Sequence, residues 1–298
     1  MIKLQNTKFI GYSSAIIAAS LLGSTGIFIR NIDADIYIVN FLRLVIGLFF
    51  LLLFLFIKQE LYQIRNIKIS FPLMLTGACL ALLGFCYMNA INNTSLANAV
   101  FLLYLAPLIA IAMSVILLND RFTIVNVMVI FITFIGFLFL LEFRLSIAIS
   151  QIKGYLWGIS AAIFYALFIV FNKKIHISIS GLNRCFYQLL FGTIIMAPLV
   201  NYSLFNVSMH DFLWIVAMGF VQGFLAFAFA AIALKYLTTY EYGVISYIEP
   251  LTASLIGVLL YSESSSLIQI FGYILIFLAG IVQIAMTKMA PNYRLIVY

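Results

Sequence analysis

The chain has 298 residues, 65% hydrophobic and 8% charged, with a net charge of +7. A soluble domain carries about 25% charged residues, and a chain this short offers no interior that could hide so much apolar surface. That excludes a soluble enzyme or binding module and leaves an all-α polytopic membrane protein, whose basic excess reads as a topology signal rather than a nucleic-acid surface.

Ten apolar spans occur in chain order, each near the about 20 residues that cross a hydrocarbon core of about 30 Å. The first five are Ile10–Phe28, Ile36–Ile57, Phe71–Ile91, Ala97–Leu118 and Ile124–Leu141. The second five are Tyr155–Phe171, Leu182–Tyr202, Phe212–Leu234, Tyr242–Leu260 and Leu267–Met286. The first comes after Lys3 and Lys8 as a signal peptide would, but it lacks a convincing cleavage site and reads as a transmembrane helix. Short loops make neighbours antiparallel. Lys3, Lys8, Lys58, Arg121, Lys173, Lys174 and Lys235 gather on one side, against Arg30, Arg144 and Lys153 on the other. The positive-inside rule then places both termini in the cytoplasm. Cys79, Cys86 and Cys185 all fall inside spans and read as packing residues. Neither disulfide nor metal spacing is present, and no cofactor is expected.

A shift of 143 positions lays the chain on itself. Gly11-Tyr12 meets Gly154-Tyr155, Tyr104 meets Tyr247, Pro107 meets Pro250 and Asp120 meets Glu263. Around the second span the shift is 145, and Arg43 meets Gln188. The expected domains are 9–141 and 154–287. Each holds five spans, an odd number, so the halves insert in opposite senses. Inverted repeats place a substrate site near the midplane.

The first half carries "NFLRLVIGLFF" and "SLANAVFLLYLAPLIAIAMSVILLNDRFT"; the second carries "TTYEYGVISYIEPLTASLIGVLLYSESSSLIQIFGYILIFLAGI". A mid-helix proline, an acid thirteen positions on and a glycine-bearing next helix resemble the drug/metabolite transporter superfamily, with two EamA-type halves. The resemblance implies ten helices, a small-molecule metabolite as partner, efflux, and the plasma (inner) membrane. It leaves the substrate open. The one-sided Arg43/Gln188 pair departs from strict symmetry.

Charges are rare at the centre of a bilayer, where each costs about 2.5–3.5 kcal/mol on insertion scales. Arg43 and Glu249 both lie at mid-span depth. Pro250 removes a backbone donor beside Glu249, and Pro107 does the same in the first half; both mark helix breaks. Exposed backbone is tolerated in a membrane where it lines a cavity or finds partners. Two readings of Glu249 stand: contact with substrate or proton, or a pairing with Arg43 that pins the packing. Tyr104, Tyr165, Gln188, Gln222 and Tyr247 are the further candidates for substrate binding. Arg43 would meet a carboxylate, Glu249 an amine or a proton, and the tyrosines an apolar part, which suggests an amino acid or related zwitterion. Asn89, Asn92, Asn93 and Asn98 are expected to satisfy helix ends, and Asp120 and Glu263 to cap helices. The rival reading, an intramembrane lipid-handling protein or enzyme, needs a catalytic cluster that the motifs do not supply.

Overall fold

The computed structural model describes the chain except residues 1, 66, 68, 120–123, 144–148, 201–206, 263–264 and 290–298. The expected caps Asp120 and Glu263 lie outside the described residues. All regular structure among the described residues is helical. The first half holds α1 (Ile2–Gly23), α2 (Thr25–Ile29), α3 (Ile36–Ile57), α4 (Leu61–Arg65), α5 (Phe71–Asn93), α6 (Leu96–Leu103), α7 (Ala106–Leu118) and α8 (Ile124–Leu140). The second holds α9 (Ile152–Lys174), α10 (Gly181–Met196), α11 (Met209–Met218), α12 (Phe227–Tyr236), α13 (Thr239–Ser246), α14 (Ile248–Tyr261) and α15 (Leu267–Met289). A π-helical stretch, Gly219–Ala226, joins α11 to α12.

Side-chain caps start several helices. Asp35 accepts from the Tyr37 and Ile38 amides ahead of α3, Ser95 from Asn98 ahead of α6, and Ser180 from Asn183 ahead of α10. These bonds satisfy amides that a helix start leaves without intrahelical partners. Among the described residues, eight helical stretches are long and apolar enough to cross a membrane, and Ile124–Leu140 is a shorter apolar helix. The expected count of ten is therefore eight by that measure. The seventh expected span is the 16-residue α10, which buries Arg184, Asn183 and Gln188. Its 16 residues fall below the length that this measure requires, and a 3-10 turn, Ala197–Leu199, continues it.

α1 runs along α12, α13 and α14, while α9 runs along α5, α6 and α7. α3 packs on α10, α7 on α13 and α8 on α15. Each half thus wraps its first helix into the other half. Counterpart helices also end alike: α7 stops at Asn119 and α14 at Ser262, both in the left-handed region with φ 53° and 55°. Phe49, Phe56, Ile116, Leu259 and Phe277 project outward, where they suit lipid.

Glycine sets the closest approach. A Cβ on Gly47 would stand 2.5 Å from the Gly223 carbonyl carbon, and one on Gly223 would strike the Arg43 carbonyl oxygen. The helix bearing Arg43 therefore rests backbone to backbone on the π-helical stretch, the small-residue packing that membrane helices use in place of a hydrophobic drive. Gly192, whose Cβ would meet nothing nearer than 3.4 Å, is ordinary by contrast. Gly223→Ala is expected to cost about 1–3 kcal/mol by overpacking, read as a lower midpoint in detergent unfolding, whereas Gly192→Ala should hold or raise that midpoint.

Candidate functional site

Three membrane-crossing stretches are interrupted, two near mid-span and one, α1–α2, near its end. α6 stops before Tyr104 and Leu105, and α7 begins with Pro107 in its first turn. α13 stops before Tyr247, and Glu249 and Pro250 open α14. Tyr104 and Tyr247 hold φ/ψ of −79°/4° and −70°/−3°, the bridge region that turns favour. α1 breaks at Ser24 before α2 resumes. Each proline lacks an N–H, so a carbonyl one turn back loses its helical donor.

Side chains answer these losses. The Tyr247 hydroxyl donates to the Tyr104 carbonyl at 2.7 Å, crossing from one half to the other. Ser24 Oγ donates to the Leu21 carbonyl at 2.6 Å. Gln222 Nε2 donates to Thr25 Oγ1 at 2.7 Å and to the Leu21 and Leu22 carbonyls at 3.3 Å each. Its Oε1 is buried with no partner. A Cβ on Gly23 would come within 2.5 Å of the Glu249 carbonyl oxygen, so the break in α1 lies directly against the start of α14.

Around these breaks lies the polar cluster. Arg43 Nη2 donates to Asn40 Oδ1 at 2.7 Å, and its guanidinium stands 5.5 Å from the Phe227 ring centre. Its Nε has no partner among the described residues. Glu249 lies within hydrogen-bonding reach of the Tyr104 hydroxyl and within electrostatic range of Arg43. No ion pair joins the two charges among the described residues. Tyr165 and Tyr242 lie close to each other nearby, and Tyr87 is within electrostatic range of Glu249. Arg43, Glu249 and Tyr87 each retain partial surface exposure, although they sit within membrane-crossing stretches. Charges that deep with accessible surface face internal space rather than lipid.

The expected residues thus divide. Arg43, Tyr104, Tyr165 and Glu249 come together. Gln222 borders them, with its amide group holding the α1 break. Pro107 is buried, and a Cβ on Gly243 of α13 would lie 3.2 Å from it. Two residues stand apart from the expectation. Tyr247 is fully buried, with its hydroxyl committed to backbone. Gln188 is 1% exposed and donates to Asn172 Oδ1 at 2.7 Å, in a network where Arg184 binds the carbonyls of Asn172, Ile175 and His176. Both act there as packing and capping groups. Two of the four asparagines bond carbonyls in the last turns of α5, Asn89 that of Phe85 and Asn93 that of Asn89, whereas Asn92 donates to the Tyr37 hydroxyl at 3.4 Å and Asn98 to Thr94 Oγ1 at 3.1 Å.

Asn40, Tyr87, Phe227 and Tyr242 join the cluster without having been expected. Asn40 carried a signal, since its i, i+3 spacing puts it beside Arg43 on one helix face. Gly84 makes room for it, because a Cβ there would meet the Asn40 amide nitrogen at 2.5 Å. A surface recess of about 320 Å³ lined by Lys153, Leu156, Trp157 and Ser160 lies at the far end of α9 and has no part in this cluster.

The family model described as "EamA-like transporter family" matches residues 9–142 and again 152–285. The chain belongs to the EamA-like transporter family. Among the relatives of this EamA-like transporter, an "Uncharacterized transporter" of Archaeoglobus fulgidus is 28% identical over 272 residues, covering 91% of this chain and 94% of that protein. An uncharacterized transporter of Bacillus subtilis is 23% identical over 268 residues, covering 88% and 85%. A solved crystal structure superposes with a TM-score of 0.79 at 19% identity, covering 94% of this chain and 99% of that one. It shares the fold. This chain is a multi-pass membrane transporter.

Asn40→Leu strips the Arg43 guanidinium of the amide oxygen that accepts from it. A hydrogen bond to a charged group contributes about 1.5–3 kcal/mol, so a loss of that size is expected in a reversible unfolding titration, with Asn40→Asp retaining most of the stability.

Proposed function

We propose that this EamA-like transporter moves an amino acid or related zwitterion by alternating access around the Arg43–Glu249 cluster. The observation that carries the reading is the arrangement of the two charges: they share one interior region, keep accessible surface, and do not neutralise each other by direct contact. A guanidinium offers a planar fork of donors to a carboxylate. A carboxylate beside the Tyr104 hydroxyl offers acceptors to an ammonium group. Tyr104, Tyr87, Tyr165 and Phe227 supply ring faces, which attract cations and cover apolar groups.

The double match to one family model and the crosswise helix packing support two related halves of opposite sense. The broken helices support a site at their interface, since half-helix ends and unwound backbone are where such transporters hold substrate and ions. Proton coupling is part of the same reading, because Glu249 alone among the described acids sits at mid-span.

Uptake of labelled amino acids into proteoliposomes tests the proposal. Arg43→Gln and Glu249→Gln should each weaken apparent affinity about 10–100-fold, the factor that corresponds to one charge-assisted contact, with the unfolding midpoint of Glu249→Gln unchanged and that of Arg43→Gln lowered no further than that of Asn40→Leu. Flux by wild type that ignores every amino acid and related zwitterion overturns the substrate class. In the same assay Glu249→Gln should lose the pH dependence that wild-type flux shows; a retained dependence removes the proton role.

A further inference from the structure

The register that relates the two halves also relates two polar networks at opposite ends of the molecule. At the end bearing Lys58, Lys173 and Lys235, the Glu241 carboxylate accepts from Lys8 Nζ, from Tyr12 Oη at 3.0 Å, and from the Thr238 amide and hydroxyl at 2.6 and 2.9 Å. At the other end, Gln151 Oε1 accepts from Thr94 Oγ1 at 2.9 Å, from Tyr155 Oη at 3.2 Å and from Asn98 Nδ2 at 3.5 Å. Adding 143 turns Lys8 into Gln151, Tyr12 into Tyr155, Ser95 into Thr238 and Asn98 into Glu241. The networks are counterparts. One is ionic and the other neutral.

Each network pins the tip of a short half-helix. α13 has eight residues, begins at the Thr238–Glu241 capping box, and ends at Tyr247, two residues before Glu249. α6 also has eight residues, begins at the Ser95 cap, and ends at Tyr104. Both half-helices therefore run from a network at one end of the molecule to a hinge tyrosine beside the central cluster. α1 and α9 are the posts to which they are tied. A short helix held at its tip and jointed at its base is a movable flap, and a continuous helix of the same length is not.

We propose that the two networks are the latches of the transport cycle, and that their unequal chemistry sets the resting orientation. Charge-assisted hydrogen bonds are roughly twice as strong as neutral ones. The Glu241 side chain is 2% exposed and that of Lys8 21%, so little water competes with the ionic latch. The neutral latch is looser, with one member at 3.5 Å. The transporter therefore rests with the Lys8–Glu241 end shut and opens more readily at the Gln151–Asn98 end. The inference uses the alternating-access part of the proposed function and is independent of the substrate.

Distances between paired spin labels, measured by double electron–electron resonance in lipid without substrate, test it. One pair sits at Phe9 and Tyr240, the other at Ile152 and Leu96, all outside the latch side chains. Wild type should show a single short distance for the first pair and a second, longer distance for the other. Lys8→Gln with Glu241→Gln makes the ionic latch neutral and should raise the open fraction at that end about tenfold. Gln151→Lys with Asn98→Glu makes the neutral latch ionic and should lower the open fraction at the opposite end by a similar factor. Lys8→Glu with Glu241→Lys restores the ion pair in reverse and should restore the short distance, which separates latching from a general folding defect. Distances at the two ends that vary in opposite directions, but identically in wild type and all three double variants, overturn the latch assignment and leave alternating access intact. Distances that never vary at either end in any of these proteins overturn both.

Discussion

Every interrupted helix in this protein faces the same demand: inside a membrane, a backbone group that loses its helical partner must find another within the protein. The demand explains side chains that otherwise look unrelated. Gln222 reaches the carbonyls where α1 breaks. Tyr247 reaches the carbonyl where α6 breaks. Arg184 closes the end of α9, and Lys173 binds the carbonyls of Leu234 and Leu237 at the end of α12. Such partners make the breaks in α1 and α6 tolerable inside a membrane, and the interior polar cluster lies around them.

Much of this was legible in the residues. Pro107 and Pro250 announced the two breaks, since the missing N–H is a property of the residue itself. Arg43 and Glu249 announced the cluster, because charge at that depth needs a protein or water environment. The pattern Thr238-x-x-Glu241 was readable as a capping box. The union of Glu241 with Lys8 was not, since it joins residues 233 positions apart and depends on how α1 crosses α13. Tyr247 shows the limit most clearly. The repeat pairs it with Tyr104, yet one hydroxyl serves backbone and the other Glu249. Periodicity assigns a face to a side chain, and only packing assigns it a partner. The break in α1 was hidden for a different reason: Gly23-Ser24-Thr25 carries no proline, and the close approach of Gly23 to the Glu249 carbonyl joins residues far apart in the chain.

The close contact of Gly47 with Gly223 ties two further features together. It brings the α3 backbone onto the π-helical stretch, and that stretch carries Gln222 toward α1. A π-helical turn inserts an extra residue and rotates the helix beyond it, and such turns gather at functional sites. Phe227, the first residue after it, comes to rest over Arg43. Glycine packing, helix widening and the placement of an aromatic face over a cation are thus one local arrangement.

The scaffold repeats, but its lining does not. The counterpart of Arg43 is Gln188, committed to Asn172, and the counterpart of Glu249 in the first half is Ala106. A cradle with matching walls would accept a dipolar guest in either sense. This one has a positive pole on α3 and a negative pole on α14. On the proposed reading a zwitterion would sit there in a single heading, keep it while the halves exchange which face is uncovered, and cross without a somersault.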